Sequence, residues 1–227
     1  SVEGKTHTMM GNLASPGVIP RTVEYLFSSI AGAERQYELK VSYMELYNEE
    51  VRDLLAPKTK ELFVREHPTR GFFVSGLVEK QVSSPGEVLE LMRAGDANRS
   101  VGATAMNERS SRSHAIFRFV VESREKDGLG STRVSHLNLV DLAGSERLSK
   151  TRAEGQRRTE ASNINTSLLN LGMCIQALTE GSKPPYRNGK LTQILAASLG
   201  GNARTAIICT VAPRTAAEAS VREAFAS

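Results

Sequence analysis

The stretch that most constrains this chain is Asp141-Leu142-Ala143-Gly144-Ser145-Glu146-Arg147, directly after the apolar run Val134-Ser135-His136-Leu137-Asn138-Leu139-Val140. The run predicts a buried strand, and Asp-x-x-Gly at its carboxyl end is a pattern with which nucleotide triphosphatases sense phosphate. An Asp there can hold the water shell of Mg²⁺. A Gly leaves its backbone N–H open to a γ-phosphate, because no Cβ stands in the way. The pattern is short and also occurs in ordinary strand-to-loop turns, so its meaning depends on its neighbours.

One neighbour opens the chain. Gly4-Lys5-Thr6 matches the tail of Gly-x-x-x-x-Gly-Lys-Ser/Thr, a loop whose N–H groups cradle phosphates. The Lys neutralises phosphate charge, the hydroxyl binds Mg²⁺, and Thr6 onward is positioned to open a helix. Glu3 places a carboxylate where such loops carry a small residue, which predicts weakened nucleotide binding unless its side chain turns outward. The second neighbour is Asn107-Glu108-Arg109-Ser110-Ser111-Arg112-Ser113-His114, a polar, hydroxyl-dense loop feeding a strand, Ala115–Glu122. Its hydroxyls suit metal or water, and its arginine suits a carboxylate. Arg112 and Glu146 are predicted to form a latch that closes while γ-phosphate holds both loops.

The remaining pattern predicts a helix in Pro16–Ala31, on Val23, Leu26, Phe27 and Ile30, and a strand over Tyr37–Tyr47. Asn48 is expected to cap a short helix, Glu49–Leu55. Leu62–Val82 predicts a hairpin around Pro68-Thr69-Arg70-Gly71, and Ser84 with Glu87 makes a capping box for a helix over Pro85–Asn98. Glu160–Glu180 reads as one helix with Ile164, Leu168, Leu171, Cys174 or Ile175, and Leu178 on a core-facing stripe. Tyr186–Ala197 reads as another helix, and Thr205–Val211 as a buried strand. Cys174 and Cys209 lie in apolar runs and are expected to be buried, reduced thiols. No apolar run reaches the roughly 20 residues of a membrane span. The 227 residues show no internal repeat or linker, which favours one domain.

Several motifs together resemble the kinesin motor domain. They are Asn107–His114, Asp141–Arg147, the run from Asn163 to Gly172, Tyr186-Arg187-Asn188-Gly189-Lys190-Leu191-Thr192, Glu45–Leu55 and Ser198–Asn202. The resemblance covers essentially the whole chain in the right order, and Val41–Glu45, Val134–Arg147 and Ala206–Thr210 look most like the centromere-associated class. It implies an α/β fold of the P-loop NTPase kind, a mixed central sheet flanked by helices, with its site loops at carboxyl ends of strands. Residues 1–227 would be a partial motor domain, lacking the early strands and the neck linker.

The resemblance also assigns roles. Gly4, Lys5, Thr6, His7 and Asn107 would bind ATP. Thr6 and Ser111 would bind Mg²⁺, with Asp141 acting through water. Ser110, Ser111, Arg112, Gly144 and Glu146 would form the catalytic set, with a proton path from the attacking water through a second water to Glu146. The helix after Glu160 would lie along tubulin. Residues 142 to 190 carry eight basic and four acidic side chains, a net of +4 that equals the charge of the whole chain. Lys150, Arg152, Arg157, Arg158, Lys183, Arg187 and Lys190 hold the excess, which suits the acidic surface of a microtubule.

The implied function is an ATP-driven, microtubule-stimulated motor on the cytoplasmic cytoskeleton, the spindle or the kinetochore, in a parent protein dimeric through a stalk outside this chain. No membrane and no nucleic-acid partner is expected, since no aromatics interleave the basic residues. Two alternatives stay open: a non-hydrolysing microtubule-binding relative with a damaged phosphate loop, and, more remotely, a basic nucleic-acid-binding protein.

Overall fold

The structure is a computed structural model that describes residues 4–12, 14–58, 62–101, 112–126, 130–144 and 156–210, with the backbone alone at 101 and 156–164. Helices α1 (Lys5–Met10) and α2 (Val18–Ala31) precede the long strand β1 (Arg35–Tyr47). Short strands follow: β2 (Glu50–Asp53), β3 (Phe63–His67), β4 (Gly71–Ser75) and β5 (Lys80–Val82). Then come α3 (Pro85–Val101), β6 (His114–Glu125), β7 (Arg133–Asp141), α4 (Gln156–Thr179), a 3-10 turn at Tyr186–Asn188, and α5 (Lys190–Leu199).

The main sheet runs β2-β1-β6-β7, with β5 also paired to β1, and β3–β4 form a separate two-stranded hairpin. The mixed sheet that the resemblance implies is represented among the described residues by antiparallel ladders. β1 and β6 pair from Arg35 opposite Glu125 to Leu46 opposite His114. Both strands are covered on both faces, so their sequences are near-continuously apolar where they are most buried.

On one face Leu39, Val41, Tyr43, Phe117 and Phe119 pack under α1, α2 and α3. Val23 is fully buried there, with Leu26, Phe27 and Ile30 against the same core, as the helical spacing predicts. Gly95 of α3 lies so close to Tyr43 that a Cβ would sit 2.3 Å from the ring, so only glycine allows this helix–strand approach. On the other face Met44, Leu46 and Ile116 pack under Leu191, Ile194 and Leu195 of α5 and Val74 of the hairpin. The outcome is three layers, helices over both faces of one sheet.

Several expectations are corrected. Glu49–Leu55 is not a helix. Asn48 and Glu49 have φ of 52° and 61° and form the two-residue loop of a β-hairpin, after which Val51 and Asp53 alternate inward along β2. Asn is tolerant of the left-handed region; Glu49 gains a partner there, because its Oε2 accepts the backbone N–H of Lys190 at 3.0 Å and so caps α5 from a loop distant in sequence. Tyr186–Ala197 is not one helix: the chain is extended at Gly189 (φ −161°, ψ 155°), which separates the 3-10 turn from α5.

Thr205 to Thr210 forms no strand, and Ile207 and Ile208 are 65% and 53% exposed. An apolar run becomes a strand only with a neighbour to bond, and none pairs with it among the described residues. Cys209 is consequently exposed, whereas Cys174 is buried as expected. The stripe on α4 is mixed. Cys174 is buried and Leu171 packs on the core, but Ser167 and Asn170 share that buried side while Leu169 and Met173 are exposed. The capping box of α3 is shifted by one residue: Glu87 N–H donates to Ser84 Oγ, while its carboxylate accepts from the N–H and hydroxyl of Ser83. None of the described helices is long and apolar enough to cross a membrane.

Candidate functional site

The candidate site lies where β7 ends, β6 begins and α1 starts. Ala115 of β6 pairs with Asp141 of β7, so antiparallel pairing brings the amino end of one strand to the carboxyl end of the other. This corrects the expectation that both loops follow carboxyl ends. The Asp141–Gly144 loop does so, but Arg112 and Ser113 enter β6 at its amino end.

Gly4 has φ 69° and ψ 1°, a left-handed conformation that turns the chain into α1. Thr6 then points at the sheet, and its Oγ1 donates to Asp141 Oδ2 at 2.8 Å across 135 residues of sequence. Sequence alone proposed both for the same metal, and the fold brings them into contact. Asp141 is buried, and its second oxygen, Oδ1, has no hydrogen-bond partner among the described residues. A buried carboxylate oxygen without a partner is costly in the protein alone. It fits a divalent ion, and one carboxylate with one hydroxyl fits Mg²⁺, which keeps most of its shell as water and phosphate oxygens. Among the described residues no cluster of three or more His, Cys, Asp or Glu is placed to hold a metal.

The other predicted residues are placed as follows. Lys5 is half-buried and His7 is exposed in α1; Gly144 is buried at the end of its loop; Arg112 is half-buried just ahead of β6. Asn107, Ser110, Ser111 and Glu146 lie outside the described residues, as do Glu3, Lys150 and Arg152, so the Arg112–Glu146 latch has no geometry here. Arg157 and Arg158 belong to the first turn of α4. Lys183 is exposed beyond α4 and Lys190 is half-buried at the start of α5. Arg187 is exposed but paired: its Nη2 lies 2.8 Å from Glu66 Oε2 of the β3–β4 hairpin.

Beneath the site is a buried polar network. Arg99 of α3 donates from Nε and Nη2 to Ser113 Oγ and from Nη2 to the Ser113 carbonyl. The same guanidinium lies 3.6 Å from Glu45 of β1, both side chains being almost fully buried. His114 accepts the N–H of Ala143 on Nδ1 at 3.1 Å, which places its own proton on Nε2, 2.8 Å from Ser167 Oγ of α4. Burial, with the Arg99 charge as the lesser cause, pushes the imidazole down to about 4, so it is neutral at physiological pH. Nearby, Tyr43 donates to Asp96 Oδ1 at 2.7 Å, and burial is the main reason both groups titrate above their ordinary values.

Of this network the sequence reading reached Glu45 only as part of a strand and of a kinesin-like motif, and missed Arg99, the role of His114, and the role of Ser167. One signal was available for Ser167: it interrupts the apolar stripe of α4 at a core-facing position, where an unpartnered hydroxyl would be unfavourable.

The kinesin motor domain family model matches residues 1–226. The chain belongs to the kinesin motor-domain family. Kinesin-like protein KIN-7O of Arabidopsis thaliana is 52% identical, over 99% of this chain and 19% of its own length. Human centromere-associated protein E is 47% identical, over 100% of this chain and 9% of its own. A solved KIF14 dimer, bound with AMP-PNP in complex with a microtubule, superposes with a TM-score of 0.84 at 41% identity, covering 99% of this chain and 66% of that one. The fold is thus the kinesin type of P-loop NTPase, and the chain spans about a fifth or less of the two curated relatives.

Proposed function

We propose that this chain is part of a single motor domain that hydrolyses ATP and couples hydrolysis to microtubule binding. The observation that carries the reading is the Thr6–Asp141 contact, with Asp141 Oδ1 left without a partner among the described residues, because it joins the phosphate-loop hydroxyl to the carboxylate that ends β7. Gly4 turns the backbone toward the phosphates and Lys5 balances their charge. Thr6, and Asp141 through water, would hold Mg²⁺, which would screen the phosphate charge as a Lewis acid. Gly144 offers its N–H to the γ-phosphate. His7 and Asn107 complete the nucleotide site.

Ser110 and Ser111 orient the attacking water, Ser111 also reaching the metal. Arg112 pairs with Glu146, and Glu146 takes the proton through a second water. No covalent intermediate forms; the residues act by positioning and charge.

The microtubule partner is supported by the microtubule-bound relative and by the basic set Lys150, Arg152, Arg157, Arg158, Lys183, Arg187 and Lys190. A dimeric parent and a location on the cytoskeleton, with the kinetochore suggested by the centromere-associated relative, belong to the same proposal. The test is ATP turnover by the full-length protein with and without polymerised tubulin. Stimulation by microtubules is expected. Nucleotide-independent binding without turnover would replace the motor with a passive microtubule-binding relative.

A further inference from the structure

We propose that His114 is a positioning residue that transmits the state of the Asp141–Gly144 loop to helix α4, through Ser167. The inference rests on the motor reading and goes beyond it. Three elements meet at this one ring: the start of β6, which carries it; the loop after β7, whose Ala143 N–H bonds Nδ1; and α4, whose Ser167 Oγ bonds Nε2. His114, Ala143 and Ser167 are 2%, 2% and 4% exposed, so water cannot replace either bond when it breaks.

The chemistry of the ring makes the two bonds interdependent. The two nitrogens are held rigidly in one ring plane with their lone-pair and N–H directions diverging, so moving the donor at Nδ1 turns the direction of Nε2–H. Ala143 immediately precedes Gly144, the residue placed to meet γ-phosphate. A peptide movement there displaces the Ala143 N–H and thereby reorients the bond to α4. A lysine or serine at position 114 could not do this, since neither presents a fixed acceptor and a fixed donor on opposite edges. The neutral ring is required, because a protonated Nδ1 could not accept from Ala143.

The anchor is firm. Ser113, the preceding residue, is clamped by Arg99 through both its hydroxyl and its carbonyl. The ring therefore pivots from a fixed backbone, and the motion goes into the helix rather than into β6. A merely structural histidine would link the same groups, but its loss would weaken folding and every rate alike. A coupling histidine makes a different prediction: loss of the α4 bond separates basal from microtubule-stimulated turnover.

The experiment uses the full-length protein with Ser167→Ala, His114→Asn and the double substitution. Asn keeps an acceptor near Nδ1 for Ala143 but does not reach Ser167. For Ser167→Ala we expect basal turnover within about twofold and a melting temperature lowered by a few degrees, because the buried Nε2–H loses its acceptor. Microtubule stimulation should fall by at least about fivefold, the lower end of ordinary coupling between sites. The ratio of microtubule affinities with a non-hydrolysable ATP analogue and with ADP should move toward one. The double substitution should be no worse than either single one.

Normal stimulation in Ser167→Ala overturns the proposal, as does a parallel fall in basal and stimulated rates, or additive effects in the double variant. Absence of stimulation in the unsubstituted protein would instead overturn the motor reading, and this inference with it.

Discussion

The buried network under the site and the basic surface around α5 use the same kinds of side chain in opposite ways. Arg99 and Arg187 each meet a glutamate from another element, Glu45 and Glu66. Arg99 is almost wholly buried, 3.6 Å from its carboxylate, and also holds Ser113. Arg187 is 75% exposed, at a shorter 2.8 Å from a half-exposed carboxylate. Distance alone would rank the surface pair as stronger. Burial reverses the ranking of what their loss costs, because a buried charge that loses its partner cannot be rescued by water, whereas an exposed one can. The interior pair holds Ser113, the residue just ahead of β6. The surface pair leaves a cation available for exchange with another acidic partner.

The sharpest way to break that comparison is Glu45→Ala, which takes the carboxylate away from the buried Arg99. It should cost about 3–5 kcal/mol of unfolding free energy, read by urea denaturation. A cost below about 1 kcal/mol would put the two pairs in one class.

Acid gives the next largest effect. His114 titrates near 4 in the folded protein and near its ordinary 6.5 unfolded, so the unfolded chain takes the proton first. The stabilising contribution is complete above about pH 6.5 and falls away toward pH 4, by about 3 kcal/mol in all. His114→Asn should remove this part of the pH dependence, measured as the difference between the two proteins' stability profiles.

Thr6→Ala tests the metal end of the network. It removes the donor to Asp141 and should cost about 1–3 kcal/mol in stability. Nucleotide binding should also become more demanding of Mg²⁺, as read by titration of a fluorescent nucleotide.

On the surface, replacing Lys150, Arg187 and Lys190 together by Ala should weaken co-sedimentation with microtubules at low salt, with the deficit shrinking as salt rises. Unchanged binding would remove these residues from the interface. The smallest effect belongs to Glu66→Gln, which releases Arg187. Stability should change by less than about 1 kcal/mol, while microtubule affinity should rise slightly.

The same contrast explains which parts of the molecule could be read beforehand. Periodicity carried the elements whose partners are generic hydrocarbon. The strand over Tyr37–Tyr47, the helix on Val23, Leu26, Phe27 and Ile30, and the strand leading to Asp141 all appear, within a few residues of the expected bounds. It failed where a specific distant partner, or the lack of one, decided the conformation. Glu49 holds a left-handed turn while capping α5, and Thr205–Thr210 has no described neighbour to pair with. Gly189 divides an otherwise helical run because the chain must turn there to start α5.

Chemistry-bearing residue types in the right order were enough to place this chain among the kinesins and to nominate Thr6 and Asp141 for one ion. Such residues are legible one at a time, because each has few other uses in its motif. The tertiary structure alone decided what they touch. Antiparallel pairing of β6 with β7 placed His114 beside Ala143, and packing of α4 brought Ser167 to its other nitrogen. Burial then turned an ordinary histidine into a neutral one with a fixed donor and a fixed acceptor. Sequence specifies which groups are present, but directional bonds and desolvation depend on positions in space that only the folded chain supplies.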